Sequence, residues 1–221
     1  KTLTSAQIAE LTTDQVAGLN KSQLAVMTAP QINAMSSATL KALTTDQLRA
    51  LNVSTLSKLA STQAALLTTD QIASLTTTQV RVLSTDQLKA FDSAQMASMT
   101  TAQMAALSAA QFNAIDSADL KAMTASQITA LTTAALGKAD TDHIAGLTTI
   151  QVAALSTLQL KSLGAAAMTA MTSDQVVSLT TSQVASLATS QFNALDSADV
   201  HLMSADQIKA LSNTVISKMG E

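Results

Sequence analysis

The chain has 221 residues, a formal net charge of −3, 12% charged and 1% aromatic residues, and no Cys, Trp or Tyr. That composition excludes disulfides and thiolate metal sites and gives no basic field for nucleic acid. No apolar run reaches the roughly 18 residues of a transmembrane helix, so membrane insertion is not expected.

From Leu3 the sequence reads in rows of eight, 27 of them, ending at Lys218 without insertion or deletion. The whole chain, 1–221, therefore reads as a single continuous repeat array with octads over 3–218. The second row and its flank, Leu11–Leu19, show the unit as LTTDQVAGL. Thr12 is placed to cap a helix and Gln15, three residues on, to reach back to its amide, which is a capping box. Leu11 and Val16 take the two positions of a hydrophobic staple, and Asp14 lies in the first turn, where a carboxylate meets the positive end of the helix dipole. The same reading gives Thr44 with Gln47 and Thr68 with Gln71 as caps. It gives Leu43 with Leu48 and Leu67 with Ile72, like Leu11 with Val16, as core pairs.

Every first position is apolar, with Ala139 the one small residue, and every sixth position is apolar, with Ala64 the one small residue. The second position is Thr or Ser in 18 rows, Asp in four and Asn in two, all good N-caps; Ala60, Gly164 and Ala188 break the set. The fifth is Gln in 19 rows. The chain's one Pro, Pro30, falls in the first turn of its row, where a missing N–H costs little.

One long helix does not fit. At about 100° per residue the apolar stripe drifts by roughly 80° per row and winds round the whole surface. Spacings of five and three also miss the period of two that a strand face needs. The spacing predicts a new short helix in every row, about two turns from Thr13 to Gly18 in the second, with Leu19 and Asn20 at the corner. The architecture expected is an all-α solenoid of about 27 helices; a β-solenoid with eight-residue rungs is the alternative. No such helix is stable alone, so stability must come from stacking on neighbours. The polar second, third and fourth positions are expected on the outside.

A longer period of 80 residues, ten rows, is also present: Gln31-Ile32-Asn33-Ala34 returns as Gln111-Phe112-Asn113-Ala114 and as Gln191-Phe192-Asn193-Ala194. Either ten rows complete a whole number of superhelical turns, or an 80-residue block has been duplicated without structural meaning.

The sequence carries no convergent catalytic set, so no enzyme, metal or cofactor is expected. His143 stands in a Gln place and reads as a stand-in for it; His201 lies 58 residues away. Asp116 with Asp119 and Asp196 with Asp199 are paired carboxylates that read as caps, without the ligand spacing of a calcium loop. The Met and Phe residues occupy core positions. Lys41, Arg49, Arg81, Lys89, Lys121, Lys161 and Lys209 share the seventh position and read as a sparse solvated stripe. Adjacent Thr pairs are not the every-second-residue Thr array of an ice-binding sheet.

The repeat LTTDQ(V/I/L)xxL, as in Leu11–Leu19, Leu43–Leu51 and Leu67–Leu75, resembles tracts in very large repetitive surface proteins of Gram-negative bacteria, of the adhesin or haem-utilisation type. The resemblance covers all 27 rows. It implies an extracellular or cell-surface protein whose counterpart is a host or neighbouring cell surface. No haem-ligand motif accompanies it. The expected function is a rigid spacer or an end-to-end stacking fibre subunit; an adhesive or ligand-binding solenoid is the alternative. The array begins in phase at Leu3 and is still in phase at Met219, and the first residue is Lys1. Self-association end to end, or continuation in a longer chain, is therefore expected.

Overall fold

A computed structural model describes residues 3–218. Among these residues there are 27 α-helices, one per row from Ser5–Ala9 to Asn213–Ser217, and no strand. The chain is all-α, and the β-solenoid alternative is not supported. Met219 lies outside the described residues. No helix among them is long and apolar enough to cross a membrane.

Each helix has four to six residues, one to one and a half turns, shorter than the two turns the spacing suggests. The corner sets this length. The first-position N–H turns back to the sixth-position carbonyl three residues earlier, as Leu19 does to Val16 at 3.1 Å and Leu51 to Leu48 at 3.1 Å. Leu51 has already left the helix, with φ −62° and ψ 138°. One residue later the next N-cap follows, also extended: Thr12 has φ −79° and ψ 164°. Pro30 is the second residue of the helix Ala29–Asn33, where its ring meets no helical N–H partner.

The chain divides into two compact units, Lys1–Leu107 and Ser108–Glu221. In the first unit each helix rests on the third one after it: Thr13–Ala17 on Ser37–Ala42, Lys21–Ala25 on Thr45–Ala50, Thr77–Arg81 on Thr101–Ala106. The second unit follows the same rule, with Ser117–Ala122 on Thr141–Gly146 and Thr181–Ser186 on Ala205–Ala210. Each unit is thus a helical solenoid with a core made of two side chains per row. First-position side chains are buried from Met27 onward, apart from half-buried Ala139, and sixth-position side chains are buried from Ile8 to Phe192. Phe91, Phe112 and Phe192 all lie inside. Small residues let the turns close up. A Cβ on Gly146 would stand 3.2 Å from Ser117 Cβ, and one on Gly137 would stand 2.8 Å from the Ser162 carbonyl oxygen.

Candidate functional site

The feature that recurs through both units is the fifth-position glutamine, which does three things at once. Its backbone N–H donates to the cap side chain, as Gln47 does to Thr44 Oγ1 at 3.2 Å. Its Oε1 accepts the cap's backbone N–H, as Gln47 does from Thr44 at 2.8 Å. Its Nε2 then reaches into the preceding turn and donates to Val16 O at 3.0 Å, Ala17 O at 3.0 Å and Leu19 O at 2.8 Å. Val16 and Ala17 are the last two residues of their helix, so these are the orphan carbonyls that every helix end leaves behind. One side chain closes the start of its own helix and the end of another.

The rung repeats with little change. Gln71 Nε2 meets Leu40 O at 3.0 Å, Lys41 O at 3.4 Å and Leu43 O at 2.8 Å. Gln79 meets Leu48, Arg49 and Leu51 carbonyls at 3.1, 3.2 and 3.1 Å. In the second unit Gln175 meets Ile144, Ala145 and Leu147 carbonyls at 2.8, 3.3 and 2.7 Å. The partners precede the glutamine by 28 to 31 residues, while helices stack on the third neighbour, so a turn takes between three and four helices. That interval contains the ratio of ten rows to three turns. Gln71 and Gln79 are each only 2% exposed. Where the glutamine is replaced, one contact of the rung survives at Thr55, whose Oγ1 donates to Met27 O at 2.8 Å, and at His143, whose Nε2 lies 2.6 Å from Ile115 O.

The residues singled out in the sequence fall as follows. Thr12 Oγ1 accepts from Gln15 N–H at 3.3 Å, and Gln15 Oε1 accepts from Thr12 N–H at 2.9 Å. Thr68 and Gln71 make the same reciprocal pair at 3.2 and 2.9 Å. Val16, Leu43, Leu48, Leu67 and Ile72 are buried, whereas Leu11 is half-buried. Asp116 accepts the Asp119 N–H at 2.9 Å, and Asp196 accepts the Ala198 N–H at 2.9 Å, so both act as caps. The seventh-position Lys and Arg residues are exposed.

A second device, absent from the sequence reading, belongs to the 80-residue period. Asn33 Nδ2 donates to Lys58 O at 3.2 Å and its Oδ1 accepts the Ala60 N–H at 2.9 Å. Asn113 does the same to Lys138 O at 2.9 Å and from Asp140 N–H at 3.3 Å, and Asn193 Nδ2 donates to Lys218 O at 3.2 Å. This asparagine caps a helix one turn ahead from outside its own row. Neither Ala60 nor Asp140 makes a side-chain cap bond of its own. The repeated Gln-x-Asn-Ala was visible in the sequence; that its Asn reaches the next turn was not.

Four stretches, residues 40–77, 73–101, 112–149 and 149–181, match the ALTTAQ repeat family and together span more than half of the chain. The chain belongs to the ALTTAQ repeat family. The ALTTAQ string runs from the eighth position of one row to the fifth of the next, as in Ala42-Leu43-Thr44-Thr45-Asp46-Gln47. It therefore spells the end of one helix, the corner, the cap and the glutamine rung. No curated protein matches the chain.

Proposed function

We propose that this ALTTAQ array is a structural, non-enzymatic repeat segment of an extracellular or bacterial cell-surface protein, serving as a rigid spacer that also associates with itself. The observation that carries the reading is the buried glutamine rung. It bonds each turn to the one before, so the array resists opening along its axis as well as bending at its corners. The resemblance of LTTDQ(V/I/L)xxL to repetitive bacterial surface tracts supports the location.

An adhesive role is the second reading, favoured by Ile150 and Leu158, which stand on the fourth positions of successive rows, 72% and 70% exposed. The core placement of all three Phe leaves that surface without aromatic anchors, the residues that most often dominate an interface.

Electron microscopy and small-angle scattering of the purified chain test the spacer reading. Straight rods of constant width support it, and a flexible or collapsed chain overturns it. External protease on intact cells that carry the protein tests location: cleavage is expected, and protection until lysis counts against a surface role. Ile150→Asp with Leu158→Asp separates the readings, since only an adhesive segment loses cell binding.

A further inference from the structure

The rung leaves the two faces of the described array chemically opposite. In the first three rows Gln7, Gln15 and Gln23 are exposed. Their Oε1 atoms hold the Thr4, Thr12 and Asn20 amides at 2.9, 2.9 and 2.8 Å, but their Nε2 atoms have no partner among the described residues. Gln31 is the first to find a carbonyl behind it, Leu3 O at 2.6 Å. The same face shows apolar first positions: Leu3 is 44% exposed, and Leu11 and Leu19 are half-buried.

The other face is the complement. The last rung among the described residues is Gln207, on Val177 O at 3.1 Å and Leu179 O at 2.7 Å. Beyond it the helix-end carbonyls of Val200, His201 and Met203, and of Ile208, Lys209 and Leu211, receive no glutamine. Here the exposed apolar residues are sixth positions: Ile208 is 37% and Ile216 48% exposed, with Val200 half-buried.

One face thus offers donors and first-position side chains. The other offers acceptors and sixth-position side chains. Everywhere inside the array these are the two halves of one interface. We infer that a second copy of this chain docks head to tail, first turn on last turn, as an extension of that interface. A copy that keeps the eight-residue phase sets Gln15 over the Val200, His201 and Met203 carbonyls and Gln23 over those of Ile208, Lys209 and Leu211. The contact is heterologous: each copy uses one face and leaves the other open, so association propagates into a filament rather than closing as a dimer. The inference rests on the structural-repeat reading and gives its self-association a surface, a direction and a register.

Sedimentation velocity and electron microscopy of the 221-residue chain over rising concentration test it. Polymers of constant width that lengthen with concentration are expected. Leu3→Glu with Leu11→Glu blocks one face, and Ile208→Glu with Ile216→Glu blocks the other; circular dichroism and melting verify that both variants fold. Each variant alone is expected to lose assembly. An equimolar mixture is expected to give dimers and nothing longer, because one variant retains only the acceptor face and the other only the donor face. Monomeric rods of the unmodified chain overturn the docking but leave the spacer reading intact. Dimers formed by one variant alone, or long polymers in the mixture, overturn the head-to-tail geometry. Collapsed particles overturn the spacer reading itself.

Discussion

Gln63 and His143 lie 80 residues apart in the chain and share one defect. Gln63 Oε1 and His143 Nδ1 are the two buried side-chain polar atoms without a hydrogen-bond partner among the described residues. The cause is the same in both. Elsewhere that atom would accept its own cap's N–H, but here Asn33 has taken the Ala60 N–H and Asn113 the Asp140 N–H. The remaining donors still reach back, Gln63 Nε2 to Asn33 O at 3.1 Å and Met35 O at 3.2 Å. In His143 the Nε2 faces a carbonyl, which only accepts, so Nε2 carries the hydrogen and Nδ1 is the unused acceptor.

Asn33→Ala is expected to cost little, about 1 kcal/mol, because Gln63 Oε1 is positioned to recover the Ala60 N–H. With Gln63→Ala as well, the N–H has no substitute and the combined loss exceeds the sum of the two. Hydrogen exchange at Ala60 in a double-mutant cycle reads this directly. Equal protection in the single and double variants would show that the two side chains do not compete.

Gln79→Glu separates the rung from the capping box. A carboxylate serves the box as well as an amide and suits the helix dipole better. It has no hydrogen to give Leu48, Arg49 and Leu51 carbonyls and buries a charge beside them. We expect Gln79→Ala to cost about 2–3 kcal/mol and Gln79→Glu about 3–5 kcal/mol at neutral pH. Local amide exchange at Thr76 and at the corner after Leu51 measures both. A glutamate variant as stable as the parent would reduce the rung to a box.

His143→Gln is expected to be within about 1 kcal/mol of the parent, since Gln fits the place in neighbouring rows. His143→Ala should cost about 2 kcal/mol, because the Ile115 carbonyl loses its donor and Phe112, with ring centroids 5.4 Å apart, loses its contact. Thermal melts of the two variants decide it, and identical melting would remove any role for the side chain.

Gly137→Val places a Cβ where the Ser162 carbonyl oxygen lies 2.8 Å away. Backbone cannot swing aside as a side-chain tip can, so the turns must part, at a cost of roughly 1–3 kcal/mol. The same change at Gly164, which has nothing within 4 Å, is the control. Denaturation midpoints should fall for the first and barely move for the second.

Lys21 Nζ lies 2.9 Å from Asp46 Oδ2, an exposed pair between successive turns, and its hydrogen bond and charge hold the Asp46 carboxyl below its ordinary 3.8. A lowered carboxyl stabilises the fold above pH 3.8 and loses that contribution as the pH falls below it. A carboxyl-carbon titration of Asp46 should move up toward the ordinary value in Lys21→Ala, and added salt should shrink the difference. An unchanged titration would mean that the contact does not persist in solution.

The rows, caps and two-residue core were legible because each rests on a local rule about helix ends and apolar spacing. The rung was not, although a sign of it was present. The chain's Glu residues are Glu10 and Glu221, neither at a fifth position, where a box alone would accept Glu as readily as Gln. Consistent choice of the amide points to a job for its N–H₂ group, but its partner lies 28 to 31 residues away, outside any single row. Helix length also escaped the sequence, because the first-position N–H turns back at the corner instead of extending the helix. The Asn clip hid inside the 80-residue repeat, which duplication explains equally well until Lys58 and Lys138 are seen beneath the two Asn side chains.

Every glutamine donor looks backward along the chain, from Gln31 to Leu3 O through to Gln207 to Val177 O. A row synthesised or secreted from its N-terminal end therefore meets its acceptors already in place. Growth needs no later segment to arrive first, and the longest wait for a rung is about four rows. Such a chain zips as it emerges, leaving only its newest turn open at any moment. Added repeats lengthen the product without deepening the folding problem, and a lineage can extend it by copying octads with no redesign elsewhere.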